Sequence, residues 1–294
     1  MQTKCMCMKE KGSMAVYVTI ALLSMLILLS GIYLTSTSVR RNQILTAMKV
    51  KETYEIDNKN AGKIYYSLVG GQEPEAPEPT YIQEGLYLNY DGINNTGNGH
   101  SASTTTWKDL SGNNRDITSL QGNIGENYVE FTGTQVNNIP ISGTFDSMTI
   151  EVTVSNLVQT ATVLFSLSGT QERLMYAHLP YSDGNIYFDS AQVSSSDYQR
   201  LNKAIDFDRT SKHTITFRKS TTSGMAIFVD GQLWAENTNL KRSVGTITRA
   251  ILCRDQAATC YWSGRMYSFR IYDRDLSNDE ILANYQIDKE KFGM

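Results

Sequence analysis

The strongest constraint on the fold is a series of short apolar–polar alternations that begins near residue 85 and continues to the C-terminus. Met148, Ile150, Val152 and Val154 occupy every second position of one run, as in a strand with one buried face. Asp230-Gly231 separates two further runs and is a strong signal for a two-residue hairpin. About eleven such runs, with almost no helical pattern between them, predict an all-β fold: an antiparallel two-sheet jelly-roll sandwich.

Charge and motif content exclude several classes of protein. A net charge of −3 creates no field that would concentrate a nucleic acid, and no long basic cluster is present, so we expect no nucleic-acid partner. The sequence contains no CxxC, HxxxH or GxxxxGK pattern, so neither structural zinc nor a nucleotide-binding loop is expected.

An uncharged segment lies between Lys11 and Arg40. Residues 14–34 within it are mostly apolar and long enough to cross roughly 30 Å of hydrocarbon as a helix. The run is longer than the apolar core of a signal peptide, and a poor cleavage site follows it. We therefore predict a retained single-pass membrane anchor. The flanking positive charges nearly balance, and the short leader favours a cytoplasmic N-terminus with the β domain outside the cell.

The chain divides into four predicted segments. Residues 1–12 are a basic leader, and residues 13–69 form a transmembrane and stalk helix with a break where the sequence is poor in helix formers. Residues 70–84 are rich in glutamate and proline and predict an extended linker. Residues 85–294 form the β domain.

The N-terminal sequence KEKGSMAVY is a short basic leader that ends in Gly12, directly before an apolar helix. It resembles the leader of type IV prepilins and pseudopilins. The resemblance implies cleavage between Gly12 and Ser13, and packing of the helix against other pilin-like subunits in a filament. At the fifth mature position, Tyr17 stands where that family usually has glutamate. The alternative is a plain membrane anchor followed by a separate short helix.

Several runs of the β domain occur in the order found in laminin-G-like domains of the concanavalin A-like jelly-roll superfamily. They include GLYLNYDG, TTWKDLSGNNRDITS, MTIEVTV, HTITFRKS and, most specifically, WSGRMYSFRIYDRDLSNDEILANYQ. The chain resembles this superfamily from about residue 85 to its end. The resemblance implies a concanavalin A-like fold, but it leaves the function open, because the superfamily includes sugar binders, adhesion modules, hydrolases and inert spacers.

The last of these motifs begins as a strand. Residues 267–271 alternate, and we expect Arg270 on the solvated face of that strand. Asp273 and Asp275 follow, and we expect Arg270 and Arg274 to pair with them.

The same motif then predicts the start of a helix. Ser277 and Glu280 have the spacing of a capping box, in which each side chain accepts a hydrogen bond from the backbone of the other residue. Leu276 and Ile281 have the spacing of a hydrophobic staple.

Cys253 and Cys260 flank a short polar segment between two apolar runs, a spacing that places them on opposite sides of a hairpin. In an extracellular domain this spacing predicts a disulfide. The alternative is a pair of buried free thiols.

A search for catalytic carboxylates finds no candidate pair. Glycosidases of this fold use paired carboxylates that project from one strand, commonly as Glu-x-Asp-x-Glu. No predicted strand carries that triplet, and Glu151 stands alone between two apolar residues. We therefore predict that the protein is not an enzyme.

Two polar loops contain oxygen-bearing side chains of the kind that hold Ca²⁺, the one cofactor we consider. Asp91 and Asn95 lie in the first loop and Asp109 in the second. The alternative is that these are turn sequences whose side chains cap their own backbone.

Aromatic residues near polar neighbours are candidates for stacking on sugar rings. Tyr181, Tyr198 and Trp262 have such surroundings, and the alternative for each is packing within the domain. His213, which precedes a strand, is interpreted as structural.

Together these patterns predict a membrane- or pilus-anchored surface protein. Its laminin-G-like domain, on the extracellular side of the cell membrane or on a surface filament, is expected to bind a glycan or a protein ligand in adhesion. The alternative is a structural minor pilin-like subunit without a small ligand.

Overall fold

The computed structural model describes residues 80–294. The predicted leader, the transmembrane and stalk helix, and the linker before residue 80 lie outside the described residues. Within residues 80–294, no helix is both long and apolar enough to cross a membrane. The predicted linker extended to residue 84, yet Tyr81 already packs onto the domain, where its hydroxyl donates a hydrogen bond to Asp288 Oδ1 at 2.8 Å.

Sixteen strands and one helix are present in the described residues. They are β1 (Leu86–Asp91), β2 (Asn123–Ile124), β3 (Val129–Thr132), β4 (Asn137–Asn138), β5 (Gly143–Phe145), β6 (Met148–Ser155), β7 (Phe165–Ser168), β8 (Met175–His178), β9 (Asn185–Ser194), β10 (Asp197–Ala204), β11 (His213–Ser220), β12 (Gly224–Val229), β13 (Gln232–Asn237), β14 (Gly245–Ile247), β15 (Arg249–Leu252), β16 (Ser263–Tyr272) and α1 (Asn278–Phe292).

The strands form two main antiparallel sheets. The larger sheet has eight strands in the order β13-β12-β11-β6-β16-β3-β2, and β1 pairs with the later residues of β16. The smaller sheet has six strands in the order β10-β9-β8-β7-β15-β4, while β14 and β5 form a separate ribbon. The predicted all-β fold, with antiparallel sheets in a jelly-roll-like sandwich, is confirmed.

Apolar side chains of the two sheets meet in one core. The ring of Phe165 in the smaller sheet lies 5.3 Å from that of Phe217 and 6.3 Å from that of Phe269, both in the larger sheet. Such edge-to-face pairs stabilise a core beyond the area that they bury. The core therefore holds the two sheets face to face.

The Asp230-Gly231 turn joins β12 to β13 as predicted. Asp230 has φ of 52° and Gly231 has φ of 72°. Positive φ at both central residues defines the turn type whose twist matches a β-hairpin.

The outer face of the larger sheet is covered by α1, which corrects the prediction for Arg270. Arg270 is completely buried and pairs with Glu151 at 3.1 Å and with Asp288 of α1 at 2.5 Å. Ser268 on the same face is buried as well. The alternation of apolar and polar residues in β16 therefore separates two buried faces, one apolar and one polar, instead of a buried and a solvated face.

The start of α1 follows the predicted capping box. Glu280 N donates to Ser277 Oγ at 3.2 Å, and Ser277 N donates to Glu280 Oε2 at 2.8 Å. Leu276 and Ile281 lie in the same buried cluster, in agreement with the predicted staple. Arg274, however, pairs with Glu280 at 2.6 Å and not with Asp273 or Asp275.

Candidate functional site

A cleft of about 460 Å³ lies on the outer face of the six-stranded sheet. In β8, Met175 and Ala177 point into the core, so Tyr176 and His178 point outward and form part of the floor. Alternate residues of β9 and β10 complete the floor of the cleft. We call it the aromatic cleft; its lining residues are Glu172, Arg173, Tyr176, His178, Tyr181, Tyr187, Tyr198, Arg200, Asp255, Ala257, Thr259 and Cys260.

Two of the three aromatic residues predicted from the sequence line this cleft. Tyr181 and Tyr198 both face it, together with Tyr176 and Tyr187. Trp262 does not: its side chain is fully buried, and its indole N–H donates to the carbonyl of Leu179 at 2.6 Å. Trp262 is therefore a core residue, and its predicted role in ligand binding is corrected.

A buried carboxylate holds two arginines at the cleft. Asp189 of β9 is inaccessible to solvent, and Arg200 of β10 donates to both of its oxygens, at 2.6 and 2.7 Å. Arg173 pairs with the same carboxylate. A bidentate guanidinium–carboxylate pair fixes the plane of the arginine as well as its position. The guanidinium N–H groups of Arg173 and Arg200 that do not bond Asp189 have no hydrogen-bond acceptor within residues 80–294.

The guanidinium groups also order the tyrosine rings. Arg173 lies 4.7 Å from the ring of Tyr176 and 5.0 Å from that of Tyr198, while Arg200 lies 4.8 Å from Tyr187 and 5.0 Å from Tyr198. Cation–π contacts of this kind are attractive and restrict the rings. The floor of the cleft is therefore a band of alternating rings and cations that needs little reorganisation to accept a ligand.

His178 lies among these rings and is neutral at physiological pH. Its ring centroid is 4.7 Å from that of Tyr181 and 5.2 Å from that of Tyr176. Burial lowers the pKa of His178 below its usual value. Because its Nδ1 contacts the carbonyl oxygen of Thr162, Nδ1 carries the proton and Nε2 is left as an acceptor.

The wall formed by residues 255–260 is held by Asp255, whose carboxylate accepts hydrogen bonds from the backbone N–H of Thr259 at 2.7 Å and of Cys260 at 3.2 Å. The predicted disulfide is absent: Cys253 and Cys260 are both free thiols. Residues 253–262 form a short hairpin in which Cys253 lies opposite Trp262 and Cys260 lies opposite Asp255. The two cysteines are therefore not cross-strand partners. Cys253 is buried in the core, and Cys260 lines the cleft.

The residues considered as calcium ligands are instead used by the backbone around them. Asp91 accepts from the N–H of Ile93 and Asn94 and pairs with Lys291. Asn95 makes two hydrogen bonds with the backbone of Ser101, and Asp109 accepts from the N–H of three residues, Asn89, Ser111 and Arg115. Among residues 80–294, no three His, Cys, Asp or Glu side chains lie close enough to hold a metal ion. The alternative interpretation as capped turns fits these hydrogen bonds, and the calcium site stays a prediction.

Six residues that define the cleft were not predicted as site residues: Arg173, Tyr176, His178, Tyr187, Asp189 and Arg200. Tyr187 and Asp189 alternate with apolar residues in NIYFDS, so a strand pattern there could have indicated that they share an outer face. Arg200 lies on β10, which was not predicted as a strand at all.

Two antiparallel sheets packed face to face define a jelly-roll-like β-sandwich, and the aromatic cleft lies on the outer face of the smaller sheet. Residues 121–282 match the Laminin_G_3 family, described as the concanavalin A-like lectin/glucanases superfamily. The chain belongs to this family. No curated protein sequence matches the chain.

Solved structures with a similar fold include receptor-binding domains of bacterial toxins. The ligand-binding domain of botulinum neurotoxin serotype D, solved with N-acetylneuraminic acid, superposes with a TM-score of 0.52 at 14% identity, over 70% of this chain and 51% of that one. The receptor-binding domain of the botulinum neurotoxin C/D mosaic serotype superposes with a TM-score of 0.51 at 13% identity, over 70% of this chain and 52% of that one. This chain thus spans about half the length of those domains.

A Trypanosoma rangeli sialidase is less similar, with a TM-score of 0.48 at 16% identity over 68% of this chain and 32% of the sialidase. That similarity is too low to bear on the activity of this protein. At these identities, the toxin structures indicate a shared fold alone.

Proposed function

We propose that residues 80–294 form a glycan-binding recognition domain and that the aromatic cleft is its binding site. The observation that supports this most is the convergence of four tyrosines, two oriented arginines and a neutral histidine on one outer sheet face. Lectin-like sites combine apolar ring faces with a few placed polar groups, and the cleft has both.

In this proposal the parts of the cleft have separate roles. A sugar ring stacks its C–H face on Tyr181 or Tyr198, as apolar patches stack on aromatic faces. Its hydroxyl groups accept hydrogen bonds from Arg173 and Arg200 and donate one to Nε2 of His178. Because Asp189 already holds the arginines, binding costs little side-chain entropy.

We also propose that the domain binds without hydrolysis. Retaining and inverting glycosidases need two carboxyl groups around the scissile bond. Of the carboxylates at the cleft, Asp189 is paired with two arginines and Asp255 caps its own loop. Glu172 makes no ion pair within residues 80–294, but a single carboxylate does not supply both functions.

The anchor remains a proposal drawn from the sequence. The apolar stretch at residues 14–34 would hold the domain at the extracellular surface of the cell membrane, and cleavage after Gly12 would release a pilin-like subunit into a surface filament. N-terminal sequencing of the mature protein tests this step. A chain that begins at Ser13 supports prepilin processing, whereas an intact N-terminus leaves the plain membrane anchor.

A glycan array tests the proposed function. The full-length chain is purified in a detergent without a sugar head group and applied to an array of neutral and acidic glycans. Sialylated glycans belong on it because the neurotoxin serotype D domain was solved with N-acetylneuraminic acid. We expect binding to a restricted set of glycans and a loss of at least tenfold in affinity for Tyr198→Ala.

Tyr285→Ala is the matched control, because Tyr285 is also a half-buried tyrosine but lies on α1, away from the cleft. Equal losses in both variants would contradict the assignment of the cleft. Binding to no glycan, combined with co-purification with a filament, would contradict the recognition function and favour a structural pilin-like subunit.

A further inference from the structure

The aromatic cleft does not end at its own lining residues. Glu172 and Ala257 also line a second cavity of about 480 Å³, here called the middle cavity, which adjoins the cleft. Thr170 and Thr248 line both the middle cavity and a third one of about 320 Å³, here called the end cavity. Shared walls make the three cavities one groove.

The groove crosses several strands of the smaller sheet. The floor of the aromatic cleft is formed by β8, β9 and β10, and the middle cavity includes Ser168 of β7 and Arg249 of β15. These five strands are neighbours in the sheet order β10-β9-β8-β7-β15. The distance from β10 to β15 is therefore four inter-strand spacings, or roughly 19 Å. Each cavity alone has the volume of a small-ligand pocket, so the groove has room for more than one such unit.

The chemistry changes along the groove. The aromatic cleft presents rings and cations, whereas the middle cavity presents hydrogen-bonding side chains, among them Gln171, Arg249 and Gln256. The end cavity is more apolar and is lined by Leu174, Val193 and Val244, with Val193 57% exposed. An exposed apolar side chain in a cavity wall is a candidate ligand contact.

We propose that the groove binds an internal stretch of a linear oligosaccharide, with one unit in the aromatic cleft and further units in the middle and end cavities. This inference rests on the proposed function, and it adds that the ligand is a chain of several sugars and not a single terminal sugar. Polar side chains in the middle cavity bond the hydroxyls of the second unit, and the apolar wall of the end cavity contacts a methyl-bearing substituent such as an acetamido group.

Affinity as a function of chain length tests the proposal. Oligomers of one to six units are titrated calorimetrically into the full-length chain. Three series are used: β-1,4-linked N-acetylglucosamine, β-1,4-linked glucose and α-2,8-linked N-acetylneuraminic acid. In a series that binds, we expect affinity to rise at least tenfold from two units to four. Each unit contacts a separate part of the groove, so the gains accumulate until the groove is filled.

Variants separate the cavities. Gln171→Ala combined with Arg249→Ala should abolish the gain in affinity with length and leave the affinity for the monosaccharide unchanged, since neither side chain lines the aromatic cleft. Val193→Asp should weaken only the longer oligomers, and Gln286→Ala, on the exposed face of α1, is the control.

The outcomes separate this inference from the proposed function. Affinity that is constant from two to six units, or a gain in affinity that survives in the double variant, overturns the extended groove and leaves glycan binding in place. Binding of no oligomer in any series, together with a negative array, overturns both.

Discussion

At the scale of single residues, His178 shows how burial sets the chemistry of the cleft. Its ring is enclosed by Tyr176, Tyr181 and Tyr187, and desolvation is the main reason that its pKa is lowered. Nearby Asp189 acts in the opposite direction, while Arg173 acts in the same direction as burial. A neutral imidazole with a protonated Nδ1 offers Nε2 to a ligand hydroxyl, and protonation would remove that acceptor.

A pH dependence of glycan binding follows from this. Affinity should be constant from pH 8 to pH 6.5 and should fall at lower pH, once His178 gains a proton. His178→Asn keeps a donor for the carbonyl of Thr162 but has no acceptor at the position of Nε2. We therefore expect weaker binding by His178→Asn at neutral pH and no further loss as the pH falls below 6.5, as measured by biolayer interferometry.

His100→Asn is the matched control for this prediction. The Nδ1 atom of His100 also contacts a backbone carbonyl, that of Gly92, and His100 does not line the cleft. If wild type, His178→Asn and His100→Asn share one pH profile, His178 is not the acceptor.

At the scale of elements, the contact between α1 and the larger sheet is unusually polar. Glu151 Oε2 accepts hydrogen bonds from Arg270 Nε at 3.1 Å and from Asn284 Nδ2 at 2.9 Å, while within residues 80–294 Glu151 Oε1 has no hydrogen-bond partner. Asp288 of α1 competes for the same arginine. Burial is the main cause that raises the pKa of Glu151 to about 7.

The raised pKa makes the attachment of α1 sensitive to pH. Between the unfolded pKa of 4.5 and the folded pKa of about 7, the folded protein keeps a proton on Glu151 that the unfolded chain has lost. Raising the pH through this window therefore lowers the free energy of unfolding, by at most about 3 kcal/mol. In Glu151→Gln, which cannot ionise, this contribution should be absent.

Urea denaturation at pH 5, 6 and 7.5 measures the effect. The stability of Glu151→Gln relative to wild type should increase with pH. The control is Glu130→Gln, because Glu130 forms a partly exposed pair with Arg265. A parallel pH dependence in wild type and Glu151→Gln would contradict the assignment.

Elements also show where sequence patterns reach their limit. The hairpin at Asp230-Gly231 and the capping box of α1 were predicted because both depend on local backbone geometry. β10 was not predicted, because DYQRLNKA has one buried apolar side chain, Leu201, and its other residues are typical of a polar loop. As an edge strand of the smaller sheet it needs only a weak apolar pattern, since its pairing with β9 supplies the rest.

At the scale of the whole molecule, Lys219 links the two sheets. It lies in β11 of the larger sheet, is fully buried, and donates to Gln199 Oε1 of β10 at 2.8 Å and to the carbonyl of Leu240. Within residues 80–294 no carboxylate pairs with it. Burial lowers the pKa of Lys219 to about 8, and the charge of Arg242 contributes.

This lysine should make the sandwich more stable in mild alkali relative to a variant without it. Between about pH 8 and 10.5, the folded protein has lost the proton while the unfolded chain still binds it, so the free energy of unfolding rises with pH. We expect the free energy of unfolding of wild type, relative to that of Lys219→Met, to increase with pH across this window. Denaturation of both proteins at pH 7.5, 9 and 10 measures this difference.

Lys241→Met, at an exposed lysine next to Leu240, is the control. Should the stability difference between wild type and Lys219→Met stay constant with pH, the ammonium of Lys219 is not strained by burial, and the hydrogen bonds to Gln199 and Leu240 compensate for its desolvation.

The sequence by itself determined the strands with a strong period of two, the hairpin, the helix cap and the family, because each depends on neighbours along the chain. Tertiary structure decided which outer faces are covered. The same alternation places Arg270 beneath α1 and leaves Arg200 exposed at the cleft, and no local pattern distinguishes them. It also decided that Tyr181 and Tyr198 share a cleft with Arg173 and Asp189, since antiparallel pairing brings together residues that lie far apart in the chain.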